Sequence, residues 1–197
     1  MSIELADPGL ENEWVRLEVF GESEKDVIAQ SGAIKAMWDW MPAVPGRGTS
    51  FDAQFQFVID EQKAGRVIPF FAYRQSDDSF VGGVSFFQPS RTHRRVQISH
   101  TWLVPDLRGT HFFRAMQLAL IHRAYAWRAK RISWEIDKNN TAMQRALEKM
   151  GVQSEGILRS ASRMNDGRWA DVAIYAAVRE EIPALIGAIE QELCAMD

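Results

Sequence analysis

Residues 102–125, WLVPDLRGTHFFRAMQLALIHRAY, decide how this chain is read. Trp102, Leu103 and Val104 end an apolar strand, Pro105 and Gly109 mark a tight turn, and a long helical pattern begins near Phe112. A helix start exposes backbone N–H groups without intrahelical partners, and its dipole adds partial positive charge there. Such a terminus can hold a phosphate or pyrophosphate. Arg108 offers a fork of donors to the same oxygens, Arg114 sits in the first turn, and Gly109 lets backbone approach a ligand closely. Phosphate cradles usually offer two or more glycines, and this one offers a single glycine. Neither a Walker lysine nor the Rossmann glycine spacing is present, which disfavours those two nucleotide folds.

Working outward from the turn, EWVRLEVF (13–20) alternates apolar and polar residues as a half-buried strand does. A short helix follows, with Ser23 as its cap and Gly32 as its stop. IKAMWDWMPAVPGRGTS (34–50) runs from an aromatic cluster into an irregular loop rich in proline and glycine. Ser50 caps a helix whose apolar positions are Phe51, Phe55, Val58 and Ile59. RVIPFFAYR, SFVGGVSFFQ and RRVQISHTWLV read as three hairpin-linked strands. In the third, a strict two-residue period puts Val96, Ile98, His100, Trp102 and Val104 on one face. The long helix leads to RISWEID, with Ile132, Trp134 and Ile136 on one face. A short helix capped by Asn140 or Thr141 stops at Gly151. NDGR joins two final strands, and Ile182, Leu185, Ile186, Ile189 and Leu193 make the tail amphipathic. The layout is α+β with one central mixed sheet. The piece from 94 to 136 should be a parallel, right-handed crossover.

The chain has 197 residues, 46% hydrophobic and 25% charged, consistent with one compact globular domain. A net charge of −3 gives no basic field for nucleic acid or anionic membrane. Cys194 is the one cysteine, so no internal disulfide forms, and no apolar run reaches transmembrane length. The acidic N-terminus lacks a signal-peptide layout. A cytoplasmic protein is the expectation.

WVRLEVF, MWDWMP, IPFFAYR, FVGGVSFF, EIDKNNTAMQRALEKMGVQSEGILR and NDGRWADVAIYA, in this order around the central turn, together resemble the GCN5-related N-acetyltransferases (GNAT). More narrowly they are similar to the RimJ/RimL-like ribosomal-protein branch. The resemblance implies a GNAT fold with a mostly antiparallel, seven-stranded mixed sheet and helices on both faces. It implies a domain over 1–180, with 181–197 a terminal helix packed on that domain or on a dimer partner. It also implies an acetyl-CoA cosubstrate, without metal, held by Leu103, Val104, Arg108, Gly109, Thr110, His111, Phe112, Phe113, Arg114 and Asn140. The chain departs from the family pattern at His111 and Phe113, where glycines are usual. It departs again at Met143, where a serine is frequent, and at Leu147, where many members place a tyrosine acid. Tyr175 is a distant alternative acid, better read as core.

By the same resemblance, a backbone N–H of VQISHTWLV polarises the thioester carbonyl, in the manner of an oxyanion hole. His100 and Glu135 are the candidate bases for a direct transfer to a primary amine, either a protein N-terminus or a small molecule. Against them stand a satisfied core histidine and a solvated glutamate. Trp38, Trp40 and Trp102 are the expected acceptor walls, with Arg47 on a flap that steers acidic acceptors. Two other readings compete: a non-catalytic GNAT-fold module with a degraded coenzyme site, and a nucleic-acid binder resting on RTHRR (91–95), which is more simply a solvated hairpin tip.

Overall fold

Alternation along the third strand sorts the molecule into two faces. Phe70 and Ala72 point into one apolar cluster and Phe71 into another, as the two-residue period of a strand requires. The computed structural model describes residues 3–31, 40–44 and 50–196. Among them the strands are β1 (Leu10–Glu11), β2 (Val15–Val19), β3 (Val67–Arg74), β4 (Phe80–Ser90), β5 (Arg95–Leu103), β6 (Arg131–Asp137), β7 (Gln153–Arg163) and β8 (Trp169–Val178). The helices are α1 (Lys25–Gln30), α2 (Phe51–Lys63), α3 (Phe112–Ala126), α4 (Thr141–Lys149) and α5 (Ile182–Cys194). The sheet runs β1-β2-β3-β4-β5-β6-β8-β7, antiparallel throughout except for the parallel pair β5–β6. It has eight strands, not seven. The addition is the two-residue β1, whose Leu10 pairs with Leu17 and which is too short to show an alternation in sequence.

The larger cluster gathers the inward residues of β2–β6 and β8 with α3, α4 and α5. Leu118, Leu120 and Ile121 of α3 are all but sealed from solvent, each worth about 1.5–3 kcal/mol of burial. The smaller cluster packs Ile28 of α1 and Phe55 and Ile59 of α2 against Phe71. Helices therefore cover both faces of the sheet.

Capping follows the sequence at two helices. Ser50 Oγ accepts from the Ala53 amide at 3.2 Å, and Asn140, not Thr141, caps α4 by accepting from Met143 at 3.2 Å. Ser23 caps nothing. It lies inside a short 3-10 turn before α1, where the Glu24 carboxylate reaches back to the Gly21 amide at 2.7 Å. Glu24 is held below the usual carboxylate range by its hydrogen bonds from Ser23 and Gly21. Gly32 lies outside the described residues.

One departure positions the site. Ser85 faces Ser99 and Gly83 faces Trp102, so His100 and Thr101 together oppose Val84 alone. This is a β-bulge, with His100 in the left-handed region at φ 50°. The five residues from Val96 to Val104 therefore do not share one face. Val96 and Ile98 enter the larger cluster with Leu103, while Trp102 packs on the smaller one. A period read from sequence has no signal for an inserted residue.

Candidate active site

The parallel pairing of β5 with β6 covers Arg95, Val96 and Gln97 and then stops. From Ile98 onward β5 continues along β4, while β6 turns to β8. The wedge between them is a cleft of about 630 Å³, within the usual size range of small-molecule sites. Its walls are the edge of β5 from Gln97 to Leu103, β6 from Trp134 to Asp137, and the described segment 40–44. Arg108 and Asn140 also line it.

The bulge divides two side chains between the two faces. Thr101 turns toward α3, where its Oγ1 accepts from Gln117 Nε2 at 3.2 Å. Gln117 is fully buried, and its other amide atom accepts from Trp134 Nε1 of β6 at 2.9 Å. One glutamine thus ties both arms of the wedge to α3. His100 turns the opposite way. Its Nδ1 is 2.7 Å from Ser85 Oγ, which also lies 3.2 Å from the Ser99 carbonyl oxygen. The carbonyl can only accept, so Ser85 donates to it and accepts from His100 Nδ1–H, leaving Nε2 as an acceptor. Burial pushes the His100 pKa down to about 4, because desolvation penalises the charged ring. The ring is neutral at pH 7.

Two glycines make room for Trp102. A Cβ on Gly83 would meet the indole Nε1 at 2.7 Å, and one on Gly82 would meet the Trp102 carbonyl oxygen at 2.2 Å. The indole thus lies over bare backbone, with Phe80 at 5.7 Å beside it.

The predicted residues fall into four groups. His100, Glu135, Leu103, Arg108, Asn140, Trp40 and Trp102 all line the cleft. Glu135 is exposed, and Trp40 is 41% exposed. Gly109, Thr110, His111 and Phe113 form the turn and first helical residues beyond the cleft, with Gly109 at φ 77° and open space around its Cα. Thr110 Oγ1 donates to the Leu107 carbonyl at 2.6 Å, which tightens that turn. The His111 ring tilts against Phe112 with centroids 4.2 Å apart, and Phe112 itself belongs to the core. Val104 gives its amide to Val81 at 2.9 Å. Arg114 reaches Glu192 of α5 at 2.7 Å, which draws its guanidinium to the terminal helix. Trp38 and Arg47 lie outside the described residues.

Sequence reasoning missed Gln117, Thr101, Ser85 and the Asp137–Arg168 pair. Asp137 is buried, accepts from the Asn139 amide at 2.8 Å and pairs with Arg168 of the β7–β8 turn. A glutamine inside AMQLALI was a legible signal, since buried polar groups need partners. Tyr175 is core. Its hydroxyl donates to Glu148 at 2.7 Å, and burial with that bond pushes its pKa up to about 12. Leu147 is fully buried and brings no hydroxyl. At the RTHRR hairpin, Arg91 pairs with Glu4, and Arg94 donates to the Trp127 carbonyl at 3.1 Å.

The mixed sheet thus splits at a bulge, and a long helix starts beyond the split. Residues 16–153 match the Acetyltransferase (GNAT) domain, and the chain belongs to that family. It is an acetyl-CoA-dependent N-acetyltransferase. Among solved structures it is similar to Mycobacterium smegmatis RimJ in complex with CoA-disulfide, at 20% identity and a TM-score of 0.75, over 90% of this chain and 88% of that one. It is also similar to spermidine N-acetyltransferase from Vibrio cholerae in complex with CoA and spermine, at 16% identity and 0.71, over 87% and 99%. Ribosomal-protein-S5-alanine acetyltransferase from Vibrio fischeri stands at 16% and 0.70, over 89% and 98%. Comparison with curated protein sequences gave no match. None of the helices among the described residues is long and apolar enough to cross a membrane.

Proposed function

We propose that this protein transfers the acetyl group of acetyl-CoA directly to a primary amine, a small molecule or a protein N-terminus, in the manner of the RimJ/RimL-like branch. The observation that carries the reading is the wedge between β5 and β6, which opens at the bulge that sets His100 and leads toward the start of α3. The residues fit the coenzyme. An extended chain can pair with the β5 edge beyond Gln97 as an added strand would. The first-turn amides of α3 beyond Phe112, which bonds Thr110 Oγ1 at 3.5 Å, and the Arg108 guanidinium suit a pyrophosphate. His111 and Phe113 keep their backbone N–H groups, so the missing glycines remove space, not donors. Two similar structures were solved with coenzyme A or its disulfide, which supports the assignment.

Bound acetyl-CoA supplies an activated thioester. The protein's part is to exclude water, orient the amine and take up its proton. His100, neutral and with Nε2 unprotonated, accepts that proton as the N–C bond forms and the nitrogen becomes acidic. Glu135, exposed on the β6 wall, is the second candidate base. Tyr175 is held in the core by its bond to Glu148 and does not line the cleft, which favours water or another group as the acid for the departing thiolate.

A thermal-shift titration with acetyl-CoA, with ATP as control, tests the coenzyme site. At about 100 times its dissociation constant the ligand should stabilise the fold by about 2.7 kcal/mol, a shift of several degrees. His100→Ala and Glu135→Gln then test the base: loss of turnover without loss of coenzyme affinity is expected for one of them. An unmoved melting curve at millimolar acetyl-CoA would leave a GNAT-fold module without its coenzyme and end the catalytic reading.

A further inference from the structure

On the α1–α2 side of the sheet, a second and smaller cavity of about 50 Å³ opens beside His100. Its walls are Phe20, Ile28, Phe51, Phe55, Val58 and Trp102. Its polar lining among the described residues is Gln54, Ser85 and His100. The first two are already engaged: Gln54 Nε2 donates to Pro42 and Asn165, and Ser85 to Ser99. His100 and Trp102 line both this cavity and the main cleft, so the small cavity is a side chamber of the reaction site. The α3 start, which suits the coenzyme phosphates, lies on the opposite face, with the larger cluster. An acceptor therefore meets His100 from the side on which the chamber opens.

We infer that the side chamber binds the apolar substituent of the acceptor, so the preferred substrate is a primary amine carrying a compact aliphatic group of about two or three carbons. This rests on the acetyl-transfer reading above. The size follows from packing: an apolar cavity of about 150 Å³ accommodates benzene, or about 25 Å³ per carbon, so the chamber takes about two carbons, with the carbon that bears the nitrogen at its mouth. The chemistry follows from the walls. An ammonium or hydroxyl placed there would meet mostly aromatic and aliphatic surface, with Ser85 already bonded to Ser99 and His100 and with His100 Nε2 taken by the reacting nitrogen, and would lose most of its hydration. Such a chamber selects against diamines by desolvation, without needing a repelling charge.

The test compares n-propylamine, ethanolamine and ethylenediamine as acceptors of equal length with acetyl-CoA, measured as kcat/KM. About ten-fold or greater preference for n-propylamine over both is expected, from the scale on which hydrophobic pockets discriminate. Val58→Phe, which fills the chamber, should reduce the preference to about two-fold or less. Val58→Leu, a gentler filling on the same helix, should reduce it partly, and keeps the test valid if the first variant folds poorly. Equal or better use of the diamine, no turnover of any of the three by coenzyme-stabilised protein, or an unchanged ratio in both variants would overturn the inference alone. A preference for butyryl-CoA over acetyl-CoA that is lost in Val58→Phe would assign the chamber to the acyl chain and also overturn it. Absence of any stabilisation by acetyl-CoA would instead overturn the acetyl-transfer reading, and this inference with it.

Discussion

Replacing His100 by asparagine separates the two burdens that this residue carries. Asparagine tolerates the left-handed backbone that position 100 requires, at φ 50°, so the bulge survives while the titrating ring is lost. In the folded protein desolvation lowers the ring's pKa to about 4 from the ordinary histidine value of 6.5. A lowered histidine pKa means that the unfolded chain binds the proton more tightly. The protein is thus at full stability above pH 6.5, and stability is lost as pH falls toward 4. With a folded pKa of about 4, the linkage relation gives a loss of about 1.2 kcal/mol at pH 5.5 and about 2.8 kcal/mol at pH 4, relative to pH 7. Carboxylates titrate in the same range, so the quantity to measure is the difference between wild type and His100→Asn. Urea unfolding at pH 7, 5.5 and 4, followed by tryptophan fluorescence, supplies it. The wild type should lose stability relative to the variant by these amounts on acidification. A difference that stays constant with pH would mean that the ring is solvated, and would remove the argument for a neutral base.

Gln117→Leu should destabilise the fold by about 1–3 kcal/mol, since the Trp134 indole N–H and the Thr101 hydroxyl lose their buried partner. For a chain of this size that is a fall of about 2–12 °C in melting temperature; an unchanged melting curve would mean that the bridge across the wedge carries nothing. Gly83→Ala places a methyl group where the Trp102 indole sits, 2.7 Å from Nε1. Overpacking of this kind costs about 1–3 kcal/mol, and the displaced indole should raise KM for the acceptor amine more than that for acetyl-CoA. Equal effects on both would place Trp102 outside the acceptor wall.

The sheet and its helices were legible because their periods are local. Phe70, Phe71 and Ala72 alternate, Ile182 to Leu193 repeat at helical spacing, and Ser50 and Asn140 occupy cap positions. What failed had non-local causes. The bulge at His100 arises from a mismatch in length between β4 and β5, which no window on either strand contains. Arg114 holds the first-turn position of a phosphate ligand, and its ion pair with Glu192, far along the chain, lies outside any local window. Seven residues of the predicted site do line the cleft, and they are those on strand ends and turns next to the split. The chamber beside His100 had no sequence signature, because its walls come from five separate elements, each contributing ordinary core residues.

The bulge also fixes β5 against slippage. Residues before it and after it obey opposite parity: Ile98 and Leu103 face the same core although an odd number of positions separates them. A regular strand can shift by two residues and keep its apolar face. This one cannot, because any shift carries the phase boundary away from Val84 and exposes one half of the strand on the wrong side. The same inserted residue that opens the site therefore acts as an index mark, locking the strand to its neighbour at the point where placement matters most.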